Sequence, residues 1–436
     1  MHDVLDLREM VADEIVERRQ SGYDVDGLAP SPAVIAAASE DALRERLAAL
    51  ESAPRVPDWP YHEPSELAAI EAEQPPAPER APMTLGRPAL RDRILGAWLG
   101  RCAGCALGKP VENWSREDIR RLLERAAAYP IADYLPAAEP TAAGLPPLHP
   151  SWTATTRGRI HGMARDDDID YTILGLHVLE TYGPDFSTDD VGAEWLRLLP
   201  YAQVYTAERA AYRNLVLGLR PPATATHRNP YREWIGAQIR ADAFAYACPG
   251  DPVRAARMAF RDATLSHTAN GIYGAMWAAA LIAASFAEPS MAAALDSALA
   301  LVPTRSRLAA ALCGVRRLHA DGLDWERARD AIEQRHGTLN PVHTINNAAV
   351  VAAALLWGEG DFTRTVGLAV QGGWDTDCNG ATAGSAFGAM HGARSLPSRW
   401  LEPLEDRVRS ALFGFDGARI SELAERTLRV AAGPDR

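Results

Sequence analysis

Two short acidic stretches hold the residues with the most chemical potential. Asp166, Asp167 and Asp168 are consecutive in RDDDIDYT (165–172), and Asp375 and Asp377 stand one residue apart in GGWDTDCNG (372–380). Like charges this close repel each other, and a helix start can use only one or two carboxylates, worth about 0.3–1 kcal/mol each through capping and the helix dipole. The surplus calls for a cation. Clusters rich in carboxylate oxygen match hard ions such as Mg²⁺ or Mn²⁺ rather than zinc. Taken singly, each stretch reads more simply as a cap or a solvated pair. Taken together, each ahead of an apolar helix and each hemmed by glycine, they predict one metal site assembled from facing helices.

The elements that must position these groups are helical. Ile169, Ile173, Leu176 and Leu179 mark one buried face directly after the first acidic triplet, so the triplet sits at a helix N-terminus. The Gly-Gly turn before Asp375 brings the chain round into a second helix. Gly96, Gly100, Gly104 and Gly108, like Gly380, Gly384 and Gly388, recur every four residues. Glycine inside a helix costs roughly 1 kcal/mol against alanine, so such a stripe belongs where another backbone or a ligand comes close. Helices are predicted at about 89–107, 168–182, 188–200, 207–216, 231–248, 252–264, 270–286, 290–301, 305–320, 324–335, 344–357, 361–370, 378–391 and 416–431. With period-2 apolar patterns scarce, the fold class is all-α. Residues 1–85 read as an N-terminal helical extension ending in a proline-rich linker (EAEQPPAPERAPM, 71–83), and 86–436 as the main domain, with a long Pro- and Gly-rich loop at 129–165.

Composition narrows the function class. The 436 residues are 47% hydrophobic and 23% charged, with a net charge of -12 and the two signs interspersed, so no basic face for direct nucleic-acid binding is expected. An odd count of five cysteines fits a reducing compartment. Cys102 and Cys105 form a C-x-x-C, but within an apolar Gly/Ala helix and without a second pair, so packing is the expected role. The charged N-terminus lacks the pattern of a signal peptide, and the longest apolar run (GAMWAAALIAASF, 274–286) is too short for a bilayer. A cytoplasmic location without membrane contact is expected, and the choice between monomer and homo-oligomer stays open.

Three blocks resemble the ADP-ribosylglycohydrolase family in order: ILGAWLGRCAGCALGKPVE (94–112), DDDIDYTIL (166–174) and GGWDTDCNGATAGSAFGA (372–389). The likeness spans about 88–400. It implies a compact all-α bundle around a central metal cleft, two Mg²⁺ ions, and cleavage of a ribosyl glycosidic bond in a small-molecule or ADP-ribosylated substrate. By position it implies Asp166, Asp167, Asp168, Asp375, Asp377 and Cys378 as metal ligands and Glu112 as a catalytic carboxylate. The chain departs from the family pattern at Asp166 and Cys378, where threonines are usual, at Cys105, where an aspartate is usual, and at Trp374, which is inserted before Asp375. A soft sulfur suits Mg²⁺ poorly, so one of the two metal positions is expected to be altered.

On this reading two hard cations bind the vicinal hydroxyls of a ribose and polarise a water for attack at the anomeric carbon. Carboxylates stabilise the oxocarbenium-like state and move a proton, with Glu112 first and Asp168 second. Trp374 could stack on a base or ribose, or act as a packing wedge. Gly372, Gly373 and Asn379 flank the second acidic stretch as candidate substrate contacts. His267 and Asn270, and likewise Asn346 and Asn347, are candidates whose simpler reading is a satisfied buried polar group. His161 and His343 receive no role. A salvage or biosynthetic N-glycosidase acting on a small riboside, and a catalytically silent binding protein of the same fold, are the alternatives; a D-x-D glycosyltransferase fits poorly without strands.

Overall fold

The computed structural model describes residues 6–76, 83–137 and 144–432. Regular structure among them is helical, from Leu7–Gln20 to Ile420–Ala432, with β pairing limited to three isolated bridges. The chain is all-α, as its periodicity predicts. Residues 77–82 of the proline-rich run and 138–143 of the long loop lie outside the described residues.

At the centre two glycine-striped helices, Arg87–Gly108 and Thr376–His391, lie backbone against backbone. A Cβ added at Gly100 would lie 2.1 Å from the Gly384 carbonyl oxygen, and one at Gly104 only 1.9 Å from that of Gly380. The stripe therefore serves a backbone. At its end Thr376 Oγ1 donates to the Gly108 carbonyl at 2.8 Å, joining the start of one helix to the end of the other. The Asp167–Tyr182 helix packs beside this pair, and the fully buried Ala269–Ser285 and Thr344–Trp357 helices complete the interior.

One helix predicted as continuous is broken. Instead of spanning 231–248, the chain makes two short helices, Gly236–Ile239 and Asp242–Tyr246, after an irregular start. Trp234 bridges to His343, and Ile235 N–H donates to the Val342 carbonyl at 2.9 Å, so pairing with the 342–344 segment prevails over helix propensity. A helix at Arg116–Arg125 was not predicted, although Ser115 caps it by accepting from Asp118 N–H.

The N-terminal helices Leu7–Gln20 and Glu40–Glu51 share a small apolar cluster of their own around Val11, Leu43, Leu47 and Leu50. They meet the rest of the chain through buried charge. Glu14 pairs with Arg232 at 2.7 Å, and Arg307 lies between Glu63 at 2.9 Å and Glu233 at 2.7 Å. Glu63→Gln is expected to cost about 1–2 kcal/mol in denaturant melts, because Arg307 keeps Glu233 while its forked contact with Glu63, through Nε at 3.0 Å and Nη2 at 2.9 Å, loses its charge assistance. An unchanged melt would mean that this seam does not contribute to stability.

Candidate metal and catalytic site

Asp166 is the N-cap of the Asp167–Tyr182 helix; its backbone is extended and its Oδ1 accepts from Asp168 N–H at 3.0 Å. The bland capping reading is thus satisfied by one of the three aspartates. Asp168 turns inward, where its Oδ1 meets Arg101 Nη2 at 3.0 Å and its Oδ2 accepts from Cys378 Sγ at 3.2 Å. Arg101 also pairs with Asp242 at 2.9 Å. Asp167 points instead to a cavity.

The second acidic stretch is held by a turn in left-handed backbone. Gly373 has φ +76°, Trp374 has φ +68°, and a Cβ at Gly373 would lie 2.7 Å from Arg116 N. Backbone bonds at 3.0 Å (Trp374 N–H to Trp114 O) and 2.9 Å (Asn113 N–H to Trp374 O) fasten the turn to the Glu112 segment. Arg329 donates to the Gly372 carbonyl at 2.9 Å and lies 4.0 Å over the Trp374 ring. Asn347 Oδ1 accepts from Asp375 N–H at 3.2 Å and from Asn379 Nδ2 at 2.8 Å, bracing the start of the Thr376–His391 helix.

The two stretches meet at Lys109. Its ammonium lies 2.7 Å from Asp166 Oδ2, 2.8 Å from Asp377 Oδ2 and 2.9 Å from Glu112 Oε2. Burial alone would depress Lys109, but Asp166, Asp377 and Glu112 outweigh it and hold the group well above the usual lysine value. Against the opposing effect of burial, the Lys109 contact draws Asp166 down to about 2. Burial and the Asp377 charge push Glu112 up to about 8, and burial with Asp166 pushes Asp167 up to about 6. Asp375, 3% exposed, is pushed well up by burial and by Asp377.

Glu112, Asp167, Asp375, Asp377 and Cys378 line one cavity of about 370 Å³, walled by Tyr205, Trp234, Ile235 and Pro341. Glu208, ion-paired with Arg240, also lines this cavity and is pushed up to about 7 by burial. A larger cleft of about 570 Å³ shares Asn113 and Pro341 and reaches Trp374, but none of the acidic candidates lines it; the chemistry belongs to the smaller cavity. As a test of fit, the donor set suits a hard cation at the Asp375–Asp377 end. Asp375 Oδ1 and Asp377 Oδ1 are buried and lack a hydrogen-bond partner among the described residues, and Asp375, Asp377 and Cys378 donor atoms lie within 4.8 Å of one another. Cys105, Asp166, Asp168 and Asp377 form a second such group.

Other candidates fall outside this cavity. Asn270 is engaged by Glu233 at 2.8 Å and Leu308 N–H at 3.0 Å, and His267 is a buried partner of Ser266 at 2.8 Å. Asn346 donates to the Asn340 carbonyl, His343 caps the Thr344–Trp357 helix, and His161 is exposed beside Glu405. Cys102 and Cys105 are buried free thiols one helical turn apart. Sequence reasoning missed Lys109, Arg101 and Glu208. For the first two a signal existed: a charged residue inside an apolar glycine-striped helix (Arg101) or directly at its end (Lys109) has to meet an opposite charge.

The ADP-ribosylglycohydrolase family model matches residues 86–436. A solved structure described as an ADP-ribosylglycohydrolase-related protein complex is similar at 22% identity, over 79% of this chain and 98% of that chain, with a TM-score of 0.48. No curated protein matches the chain. Among the described residues no helix is long and apolar enough to cross a membrane. On the match over 86–436, the chain belongs to the ADP-ribosylglycohydrolase family.

Proposed function

We propose that the protein is a metal-dependent glycohydrolase that cleaves a ribosyl glycosidic bond in an ADP-ribosyl or related nucleoside-like substrate. The observation that carries this reading is the convergence on one cavity of Asp167, Asp375 and Asp377, from two helix starts distant in sequence, with Glu112, from the turn that follows the Arg87–Gly108 helix. Asp375, Asp377 and Asp167 would hold a divalent ion, Mg²⁺ or Mn²⁺. When bound, such an ion orients ribose hydroxyls and acidifies a coordinated water. Glu112, pushed up to about 8, carries its proton near neutral pH and is suited to donate it to the departing group. The carboxylates facing the sugar stabilise the positive charge that develops at the anomeric carbon. Trp234, Ile235 and Pro341 narrow the access of water.

The test is release of the ribosyl group from ADP-ribosyl-arginine protein, ADP-ribosyl-serine protein and small ribosides, with Mn²⁺ or Mg²⁺ and after chelation. Metal-dependent release from one class supports the reading; no release from any, with the protein folded and metal-loaded, refutes it. A small riboside is a second reading, favoured by a volume of about 370 Å³ at the carboxylates, near the lower end for small-molecule sites. Glu112→Gln is expected to lower kcat by about 100-fold with KM little changed, since proton transfer matters only in the transition state. A kcat within threefold of the unmodified protein would remove Glu112 from the chemistry.

A further inference from the structure

The carboxylate oxygens of the site divide into those already matched and those left open. Asp166 Oδ1 accepts from Asp168 N–H, and Asp166 Oδ2 meets Lys109. Asp168 Oδ1 meets Arg101, and Asp168 Oδ2 meets Cys378. Thus each of these four oxygens has a cationic or hydrogen-bonding group of the chain within 3.2 Å, the Lys109 contact to Asp166 Oδ2 being an ion pair without an aligned hydrogen bond. Asp375 Oδ1 and Asp377 Oδ1 are buried and have neither a hydrogen-bond partner nor a cation among the described residues.

Lys109 is seated as an ion would be. Three carboxylates surround the ammonium at 2.7, 2.8 and 2.9 Å: Asp377 Oδ2 accepts a hydrogen bond from it, and Asp166 Oδ2 and Glu112 Oε2 are held as ion pairs. The side chain is only 7% exposed. It is anchored where the Arg87–Gly108 helix gives way to the Lys109–Val111 turn, and that helix cannot retreat because its glycines touch the backbone of Thr376–His391. A doubly charged ion placed among Asp166, Asp377 and Glu112 would have to share their oxygens with this ammonium and would be repelled by it.

We propose that Lys109 is a resident cation that fills one of the two metal positions, so that each chain binds a single divalent ion, at the open oxygens of Asp375 and Asp377. The ion pairs that make the site compact without metal are the same ones that exclude the second ion. This inference rests on the metal-dependent reading above, and the experiment separates failure of the one from failure of the other.

The full-length protein is stripped with chelator and titrated with Mn²⁺, counting bound ions per chain by equilibrium dialysis and recording the electron paramagnetic resonance spectrum. One ion per chain with an uncoupled spectrum is expected. Lys109→Met and Lys109→Ala should raise the count to two with a spin-coupled signal, Lys109→Arg should stay at one, and Asp375→Asn should lose the single ion. Two ions in the unmodified protein would overturn the inference and leave the metal-dependent reading standing; none would overturn both. If the Lys109 variants do not fold, the count and the spectrum of the unmodified protein and of Asp375→Asn decide the question.

Discussion

Asp377→Asn should abolish turnover, by about a thousandfold or more in kcat/KM, while the protein stays folded. The loss corresponds to about 4 kcal/mol of transition-state stabilisation. Asp377 is common to both groups of candidate donors, with Oδ2 at Lys109 and Oδ1 buried without a hydrogen-bond partner among the described residues. Asparagine preserves size and can still offer an oxygen to Lys109, but it removes the charge on which cation binding depends. Folding survives because Lys109 retains Asp166 as a charged partner at 2.7 Å and keeps Glu112 at 2.9 Å. The measurement pairs steady-state turnover with a thermal melt of the same preparation. Turnover within tenfold of the unmodified protein, or a collapsed melt, would mean that Asp377 is not the shared ligand argued here.

How much of this was legible beforehand depends on the kind of signal. The helices Asp167–Tyr182 and Thr376–His391 could be read because apolar spacing and glycine stripes are local properties of the sequence. The convergence of the two acidic stretches was inferable because uncompensated charge has to find a counter-charge. What local reasoning could not give was the identity of that counter-charge. Lys109 was in plain sight in GKPVE, yet its contacts with Asp166 and Asp377 exist only once helices distant in sequence are packed. The broken segment at 231–248 escaped for the same reason, since its backbone partners lie at 342–344. Conversely, Asn270 and His267 looked suggestive as polar residues in an apolar helix, and their partners Glu233 and Ser266 place them in buried networks outside the cavity.

Gly104→Ala should destabilise the protein by about 3 kcal/mol or more, against a local preference that favours alanine by about 1 kcal/mol inside a helix. The sign is decided by space. An alanine Cβ at 104 would lie 1.9 Å from the Gly380 carbonyl oxygen and 2.3 Å from its carbon, where ordinary contact begins near 3.4 Å. The obstacle is backbone, which cannot rotate away as a side chain would, so the two helices must part. Overpacking of an interior typically costs about 1–3 kcal/mol, and a backbone clash at the tightest point of a stripe belongs at or beyond the upper end. Parting them would also carry Lys109 and Glu112, at the end of one helix, away from Asp375 and Asp377, at the start of the other, so metal binding should weaken along with stability. Gly27→Ala is the control: nothing lies within 4 Å of its added Cβ, and its change should stay within about 0.5 kcal/mol. Denaturant melts of the two variants beside the unmodified protein make the comparison. If Gly104→Ala melts like Gly27→Ala, the close approach of the two helices is not what holds the cavity together.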